Sequence, residues 1–582
     1  MTQPTLSRSA NIGARAIEDA LDSYMTEFGA ITRRARDRFA RREWREMRSD
    51  AAKRLGLYRR RIDRLVEEIT PLLGDRLHDR MAWAGMKAVY SGRIAGRQDY
   101  DIAETFFNSV TRRVFSTVGV DQDIEFVATD FSSPPSQSVG AVHRRVACDT
   151  VEAGVDALLE GAGLGVAWQD RARDAALAAE RIAERVEAAG WRHPVAALEV
   201  VAVPFFRAGG AYLVGRASST GDLDHVPVVL AIRNGPSGAW VDAVLTEERD
   251  VSVLFSYTRS YFHVEVDRPS DLVRFLKSIV PRKRIAELYI AIGFAKHGKT
   301  ELYRDILDHL EGTEEVFEPT PGTPGMVMAA FGMPSQDLVF KIIRDRFPPP
   351  KQTTRREVMD RYRLVSRHDR AGRLIDAWEF EHLAFGRDRF SEEVLDELLS
   401  EASRTVEVAG DTVVLHHVYV ERRVTPLDVF IRTVDERAAA DAVVDMGNAV
   451  KDLARSNVFP GDLLLKNFGV TRSGRVVFYD YDELTLLDEV NFRRMPEPTH
   501  PEEELAAEPW FGVGDADVFP EEFRNFLGLP RTLRAAFVDA HDDLFDPRTW
   551  EAIQQRIAEG EIIQILPYEE RRRLRHEAPV AA

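Results

Sequence analysis

The sequence contains little of what marks several broad classes of protein. Its 582 residues include a single cysteine, Cys148, so no disulfide can form within the chain and a cysteine-rich zinc site is excluded. No apolar run reaches the roughly 18–20 residues that a membrane-spanning helix needs. Positive charge is also in short supply, with 78 Lys and Arg against 95 Asp and Glu, which argues against nucleic acid as the main partner. These absences predict a cytoplasmic protein that binds neither a membrane nor nucleic acid.

The chain is long enough to need more than one hydrophobic core, so two or three domains are expected. Apolar residues recur at helical spacing through much of 12–190, whereas 197–266 consists of β-rich runs separated by turns. An acidic stretch rich in Pro and Gly, 311–325, is the strongest boundary signal. We therefore predict an α+β protein whose mainly helical domain, 1–312, carries a small antiparallel β-sheet at about 197–266 and precedes a second domain, 313–582.

The second domain has strand patterns first and helix patterns later. The apolar runs Leu338–Ile343 and 412–420 are typical of strands, while helices are expected at about 355–401 and 438–456. Strands followed by helices are typical of a bilobal protein-kinase-like domain, in which ATP binds in the cleft between the lobes.

The most informative motif runs from Asp462 to Asp480. Asn467 follows Asp462 after five residues, and Asp480 ends an apolar run eighteen residues after Asp462. Phosphoryl transfer needs one carboxylate to orient the attacking hydroxyl, and an amide and a second carboxylate to hold Mg²⁺ on the phosphates. A hairpin with its turn at 471–474 would set Asn467 beside Asp480. The spacing therefore predicts a kinase catalytic loop, with Asp462 as the base and Asn467 and Asp480 as Mg²⁺ ligands.

Other residues complete the predicted ATP site. Lys341 lies within an apolar strand, where kinases place the lysine that positions ATP. Lys466 is expected to reach the transferred phosphoryl group, and Asp482 adds a carboxylate beside Asp480. A loop rich in Pro and Gly occupies the place of the kinase Gly-rich loop, whose backbone approaches phosphate oxygens. Its residues are Thr320, Pro321, Gly322, Thr323, Pro324, Gly325 and Met326.

A second phosphate-binding pattern occurs earlier in the chain. Residues 293–300 fit the phosphate loop Gly-x-x-x-x-Gly-Lys-Thr, which requires a strand before it and a helix after it. The preceding residues Ile285, Leu288 and Ile292 have helical spacing instead. A corner between two helices is therefore the better prediction for this segment, and a nucleotide site centred on Lys299 is the alternative.

The second domain resembles the bacterial isocitrate dehydrogenase kinase/phosphatase family. The matching segments are 324–328, 339–341, 420–423, 459–462, 466–471, 474–483, 489–493 and 517–524. The resemblance implies one enzyme that phosphorylates and dephosphorylates a serine of isocitrate dehydrogenase, its protein partner. Phosphorylation would inactivate the dehydrogenase and divert isocitrate from the tricarboxylic acid cycle into the glyoxylate bypass. The family has an N-terminal regulatory domain that senses AMP, followed by a kinase-like domain.

The resemblance also implies roles for individual residues. In the family, the loop that matches Thr320 to Met326 and the lysine that matches Lys341 bind ATP, and both reactions share one ATP/ADP site. The family's active-site aspartate falls at Asp376, which the sequence alone would assign to a solvated position in a helix. Asp376 and Asp482 are then the candidates for positioning the water of the phosphatase reaction.

The segment 489–526 is rich in Pro, Glu and aromatic residues, and we expect an extended element that grips isocitrate dehydrogenase. An ordinary long loop with a helix is the alternative. A small-molecule kinase with the same Asp–Asn–Asp arrangement would need no large N-terminal domain, and a non-catalytic scaffold would not need Lys341, Asp462, Asn467 and Asp480 together. The sequence leaves the oligomeric state open, a homodimer included.

Overall fold

The computed structural model describes residues 5–127, 142–222, 224–256, 261–321, 325–349, 351, 353–368, 370–461, 463–496 and 511–574. Four residues of the predicted site, Gly322, Thr323, Pro324 and Asp462, lie outside this set. Within it, no helix is both long and apolar enough to cross a membrane.

Amphipathic helices form most of the first 312 residues. In α1 (Leu6–Arg41), the buried residues Ile17, Leu21, Tyr24 and Phe28 recur every three or four positions, which gives the helix one apolar stripe. This stripe packs into a core shared with α2, α3 and α4. The further helices of this region are α2 (Trp44–Leu73), α3 (Arg80–Ile94), α4 (Tyr100–Phe115), α5 (Val151–Glu160), α6 (Arg171–Ala188), α7 (Glu248–Leu254), α8 (Pro269–Ile279), α9 (Ile285–Ala291) and α10 (Ala295–Gly312).

An antiparallel sheet lies within this helical region, as predicted. Its strands are β1 (His143–Ala147), β2 (Val195–Val201), β3 (Phe205–Arg207), β4 (Gly210–Ser219), β5 (His225–Gly235) and β6 (Gly238–Leu245). They pair in the order β1-β2-β4-β5-β6, with β3 beside β4. The strand-rich stretch ends at Leu245, earlier than the predicted 266, because residues 248–254 form α7, and β1 comes from a part that was expected to be helical.

The first lobe of the second domain is built on another antiparallel sheet. Its strands are β7 (Glu318–Pro319), β8 (Met328–Gly332), β9 (Leu338–Ile343), β10 (Ala377–Gly386), β11 (Val406–Ala409) and β12 (Thr412–Arg422), and its helices are α11 (Arg355–His368) and α12 (Glu392–Glu401). The strands pair in the order β10-β12-β9-β8-β7, with β11 beside β12.

The prediction of a single helix over 355–401 is wrong, because strand β10 lies within this range. Trp378 and Phe380 are buried on alternate positions, as in a strand, and Leu383 and Phe385 continue the alternation one residue out of phase. His382 causes the shift: it has a positive φ of 56° and lies between the paired positions. This irregularity masked the alternation in the sequence.

The two faces of this sheet contact different parts of the molecule. On one face, Phe340 and Val420 belong to a hydrophobic core that includes Ile290 of α9 and Leu302 and Ile306 of α10. On the other face, Ile343 and Tyr419 join the core of the second lobe together with α11. Because successive strand residues face opposite sides, Lys341 and Glu421 share the face of Tyr419, whereas Arg422 shares the face of Val420.

The second lobe is mainly helical. Its helices are α13 (Leu427–Thr433), α14 (Glu436–Arg455), α15 (Phe523–Phe526), α16 (Arg531–His541) and α17 (Pro547–Ala558), and its short strands are β13 (Thr425–Pro426), β14 (Val458–Phe459), β15 (Phe468–Val470), β16 (Val476–Phe478), β17 (Thr485–Leu486), β18 (Asn491–Phe492) and β19 (Asp517–Val518). Helix α14 confirms the long helix expected at about 438–456, and the carboxylate of Asp435 caps it by accepting a hydrogen bond from the Ala438 N–H at 2.9 Å.

Candidate active site

A hairpin holds the two predicted metal ligands. Strands β15 and β16 pair with Phe468 opposite Phe478, and the turn is closed by a 2.8 Å hydrogen bond from the Gly474 N–H to the Thr471 carbonyl. Beyond Phe468 the ladder continues, because the Tyr479 N–H donates to the Asn467 carbonyl at 3.1 Å. The predicted hairpin is therefore present, and Asn467 lies opposite Tyr479, the residue that precedes Asp480.

Lys341 on β9 has a carboxylate partner that the sequence did not suggest. Its Nζ lies 2.7 Å from Oε2 of Glu421 on β12, and the two side chains are only 12% and 3% exposed. The strand register explains the contact: Lys341 pairs with Tyr419, so Glu421 is its diagonal neighbour on the same face of the sheet. Burial raises the pKa of the Glu421 carboxyl, and the nearby Lys341 ammonium opposes that rise.

The same lysine connects the sheet to the hairpin. Nζ of Lys341 donates to the carbonyl oxygen of Tyr479 at 3.2 Å and lies 5.2 Å from the centre of the Tyr479 ring. Tyr479 directly precedes Asp480, and its hydroxyl donates at 2.5 Å to the carbonyl of Lys466, whose side chain is exposed. Lys341 thus lies at the junction of the two lobes, beside the predicted metal ligands.

Carboxylates outnumber ammonium groups in this cleft. Nζ of Lys351 lies 4.0 Å from Oδ2 of Asp482 and 2.7 Å from Oε1 of Glu483. Burial, together with the neighbouring Asp480, raises the pKa of Asp482 to about 6. Excess negative charge and oxygen donors suit Mg²⁺, which proteins usually bind through one or two carboxylates together with substrate phosphates. Among the described residues, this cleft included, no group of three or more His, Cys, Asp or Glu side chains could hold a metal ion without further ligands.

Asp376 is not in a helix, in contrast to the sequence-based expectation. It directly precedes β10, and its Oδ2 accepts a 2.7 Å hydrogen bond from the Trp378 indole. It lines a cavity of about 70 Å³ whose wall includes Ser256 and Glu287 of the first domain and Arg475 beside β16. The structure therefore places Asp376 where the two domains meet, next to the hairpin.

A buried arginine fixes the segment that leads to Asp376. Arg373 donates to both carboxylate oxygens of Asp445 at 2.8 Å and to Asp452 at 3.0 Å, both on α14. The Phe478 N–H donates to the Arg373 carbonyl at 2.7 Å, so this segment runs beside β16. Sequence reasoning missed Arg373, because only the fold brings its two acids within reach.

The ends of the predicted phosphate-contacting loop are anchored beside Lys341. The Thr320 N–H donates to the carbonyl of Ala330 at 3.2 Å, and Ala330 pairs with Lys341 across β8 and β9. At the other end, the Gly325 carbonyl accepts a 3.1 Å hydrogen bond from the Arg344 guanidinium. Pro321 and Met326 are exposed.

The alternative phosphate loop is a corner between α9 and α10, as predicted. Gly293 has a φ of 102° at that corner, and helix α9, not a strand, precedes it. Nζ of Lys299 donates to the backbone carbonyl of Glu379 at 3.0 Å, so this lysine joins α10 to β10. The strand that a phosphate loop requires is missing from the described residues before Gly293.

The segment 489–526 is described at both ends. Strands β18 and β19 pair in parallel, and the guanidinium of Arg493 donates to Asp517 and to the Gly512 carbonyl. The two ends of the segment therefore contact each other, and residues 497–510 between them lie outside the described residues.

Comparison with known proteins gives consistent matches over nearly the whole chain. A family model described as the isocitrate dehydrogenase kinase/phosphatase (AceK) kinase domain matches residues 315–570, and one described as the regulatory domain of the same family matches 14–314. A protein of Anaeromyxobacter sp. (strain Fw109-5), named isocitrate dehydrogenase kinase/phosphatase, is 51% identical over 97% of this chain and 98% of its own length. A protein of the same name from Xanthomonas euvesicatoria pv. vesicatoria (strain 85-10) is 42% identical over 98% of this chain and 99% of its own length. Another from Pectobacterium carotovorum subsp. carotovorum (strain PC1) is 40% identical over 97% of this chain and 95% of its own length.

Proposed function

The chain belongs to the isocitrate dehydrogenase kinase/phosphatase family, and we propose that one nucleotide site in its bilobal domain serves both reactions. The chain is a bifunctional kinase and phosphatase that acts on isocitrate dehydrogenase. We further propose that it acts on a serine in the cytoplasm and so controls the flow of isocitrate between the tricarboxylic acid cycle and the glyoxylate bypass. AMP is the effector that we expect its regulatory domain to bind.

The single observation that carries the proposed site is the position of Lys341. Its Nζ lies between Glu421 of the first lobe and the Tyr479 carbonyl of the second. An ammonium held in this orientation can pair with phosphate oxygens of ATP in the cleft. The loop from Thr320 to Met326 starts beside Ala330, next to the strand that carries Lys341, and would cover the phosphates with backbone N–H groups.

Asn467 and Asp480 are the residues that would hold Mg²⁺. Their amide and carboxylate oxygens match the ligands that this ion prefers, and the hairpin fixes them relative to each other. The bound ion supplies positive charge that neutralises the phosphates during transfer.

The remaining roles concern protons and water. We propose that Asp462 accepts the proton of the serine hydroxyl as the γ-phosphoryl group moves, and that Lys466 pairs with the transferred group. Asp376 and Asp482 are the candidates for orienting the water that removes phosphate. The raised pKa of Asp482 suits proton exchange near neutral pH.

The test replaces Asp462 with Ala and measures kinase turnover on purified isocitrate dehydrogenase. Loss of the base should lower turnover by roughly 10²–10⁴ with ATP binding retained. Lys299→Ala is the matched control, because Lys299 joins α10 to the Glu379 carbonyl of β10, and its kinase rate should equal that of the wild type. A near-normal rate for Asp462→Ala would refute the assignment, as would loss of ATP binding in Lys299→Ala but not in Lys341→Ala.

A further inference from the structure

Two neighbouring residues at the end of β12 have side chains on opposite faces of the sheet. Glu421 pairs with Lys341 on the cleft side, whereas the guanidinium of Arg422 forms an ion pair with Glu287 of helix α9, in the regulatory domain. The strand therefore has a catalytic-domain contact and a regulatory-domain contact one residue apart.

The surroundings of Glu287 make it a fixed anchor. Its second carboxylate oxygen accepts a 2.9 Å hydrogen bond from the Arg284 N–H, which caps the start of α9. Oε1 also lies 3.6 Å from Nζ of Lys283, a buried side chain. This carboxylate is 10% exposed, so it cannot turn to solvent without giving up these contacts.

A second contact joins the same helix to the same region of the kinase domain. The Arg284 guanidinium donates to Asp337 at 2.5 Å, and the Asp337 carbonyl accepts a 2.8 Å hydrogen bond from the Arg423 N–H. Arg423 follows β12 directly and begins the connection between the two lobes. The start of α9 therefore holds this connection from two sides.

The Glu287–Arg422 pair is poorly solvated. Burial, together with the neighbouring guanidinium groups of Arg284 and Arg472, lowers the pKa of Arg422 to about 10. Because like charges surround Arg422, its ion pair with Glu287 offsets part of their repulsion. Removing one member of such a pair leaves the other charge buried without compensation.

We propose that Glu287 is a positioning residue for the nucleotide: through Arg422 it fixes the end of β12, and with it the Glu421–Lys341 pair. This inference rests on the proposed function, because it takes Lys341 as the ATP-binding lysine. Helix α9 thus reaches the nucleotide site through one strand residue, without touching the nucleotide.

The experiment is Glu287→Gln, assayed for phosphorylation of isocitrate dehydrogenase over a range of ATP concentrations. Glutamine has the same length and can still accept the hydrogen bond from the Arg284 N–H, so helix α9 should persist. The KM for ATP should rise by about 5- to 30-fold, the factor that a change of one or two kcal/mol produces. Turnover at saturating ATP should stay within about threefold, since Asp462, Asn467 and Asp480 are untouched.

Two further variants separate positioning from general loss of packing. Asp250→Asn removes a regulatory-domain carboxylate that pairs with Arg572 of the kinase domain at 2.7 Å, away from the connection between the lobes. Its KM for ATP should be unchanged. Glu287→Asp keeps the charge but shortens its reach, and should give an intermediate KM.

The outcomes distinguish the inference from the proposed function. If Lys341→Met binds ATP as tightly as the wild type, the proposed site is wrong and the inference falls with it. If Lys341→Met loses ATP while Glu287→Gln has the wild-type KM, the inference alone is refuted. An equal rise in KM for Glu287→Gln and Asp250→Asn, or an unfolded Glu287→Gln together with a wild-type KM for Glu287→Asp, would also refute it.

Discussion

Replacing Lys341 with Met should show how much the Lys341–Glu421 ion pair contributes to the stability of the kinase domain, separately from its role in ATP binding. The substitution keeps the length of the side chain and removes its charge, so the Glu421 carboxylate, 3% exposed, remains without its cation. Removing one partner of a buried pair costs about 3–5 kcal/mol. For a domain of about 250 residues each kcal/mol shifts the melting temperature by roughly 2–4 °C, so the kinase-domain transition should fall by about 6–20 °C.

The pH dependence of this loss has a definite sign. Burial raises the pKa of the folded-state Glu421 carboxyl, and removal of Lys341 takes away the main interaction that opposes that rise. A carboxyl whose folded-state pKa is raised contributes stability below its ordinary pKa and loses that contribution as the pH rises through the folded value. The difference between Lys341→Met and the wild type should therefore narrow as the pH is lowered from 7.5 towards 5.

The double variant Lys341→Met with Glu421→Gln completes the test. It removes both charges and lets the glutamine keep the hydrogen bond from Tyr362 that the carboxylate has. Differential scanning calorimetry should show that most of the lost melting temperature returns, while ATP binding and kinase activity stay absent. If Lys341→Met melts within about 2 °C of the wild type, or if the double variant melts lower still, the pair is not buried as described.

Two other predictions concern more distant parts of the chain. Burial raises the pKa of Asp101 to about 6, so its ionisation at pH 7.5 lowers the free energy of unfolding by about 3 kcal/mol. The variant Asp101→Asn can still accept the hydrogen bond from Tyr289 and should melt at a higher temperature than the wild type at pH 7.5. A difference in melting temperature that does not shrink towards pH 4.5 would contradict this. The segment whose ends are joined by Arg493 and Asp517 can be shortened by deleting residues 496–507. This deletion should weaken binding of isocitrate dehydrogenase in a calorimetric titration, with the affinity for ATP as the control. Unchanged affinity for the dehydrogenase would show that the segment does not bind it.

Local patterns in the sequence were sufficient for most of the fold. Helical spacing of apolar residues through much of 12–190 predicted helices, and the buried stripe of α1 has this spacing because each of its residues lies within four positions of the next. The hairpin at 468–478 was predictable for the same reason, since its turn and its strands are contiguous. Strand β10 was missed because the alternation shifts by one residue at His382, and no local pattern reveals such an irregularity in advance.

The contacts of the site were less accessible to sequence reasoning. Lys341 and Glu421 are neighbours only because β9 and β12 pair in one register, and the sequence alone does not specify which strands become adjacent. Asp376 was identified by resemblance, and its place between the domains depends on the packing of α9. The roles of all these site residues stay predictions, and Asp462 and residues 322–324 also lie outside the described parts of the chain.

The carboxylate that pairs with Lys341 comes from a strand, and this limits how the kinase domain can be controlled. In ordinary protein kinases the partner of the ATP-binding lysine comes from a helix, and movement of that helix breaks or forms the pair. Here the partner is on β12, whose register with β9 pairs Tyr419 with Lys341 and Arg422 with Leu338. This register fixes the backbones of Glu421 and Lys341 relative to each other, and a slip of one residue would turn every side chain of β12 to the opposite face. Forming the pair therefore needs no helix movement, and we expect regulation to act through small displacements at the end of β12, where Glu287 holds Arg422, or through the hairpin that carries Asn467 and Asp480.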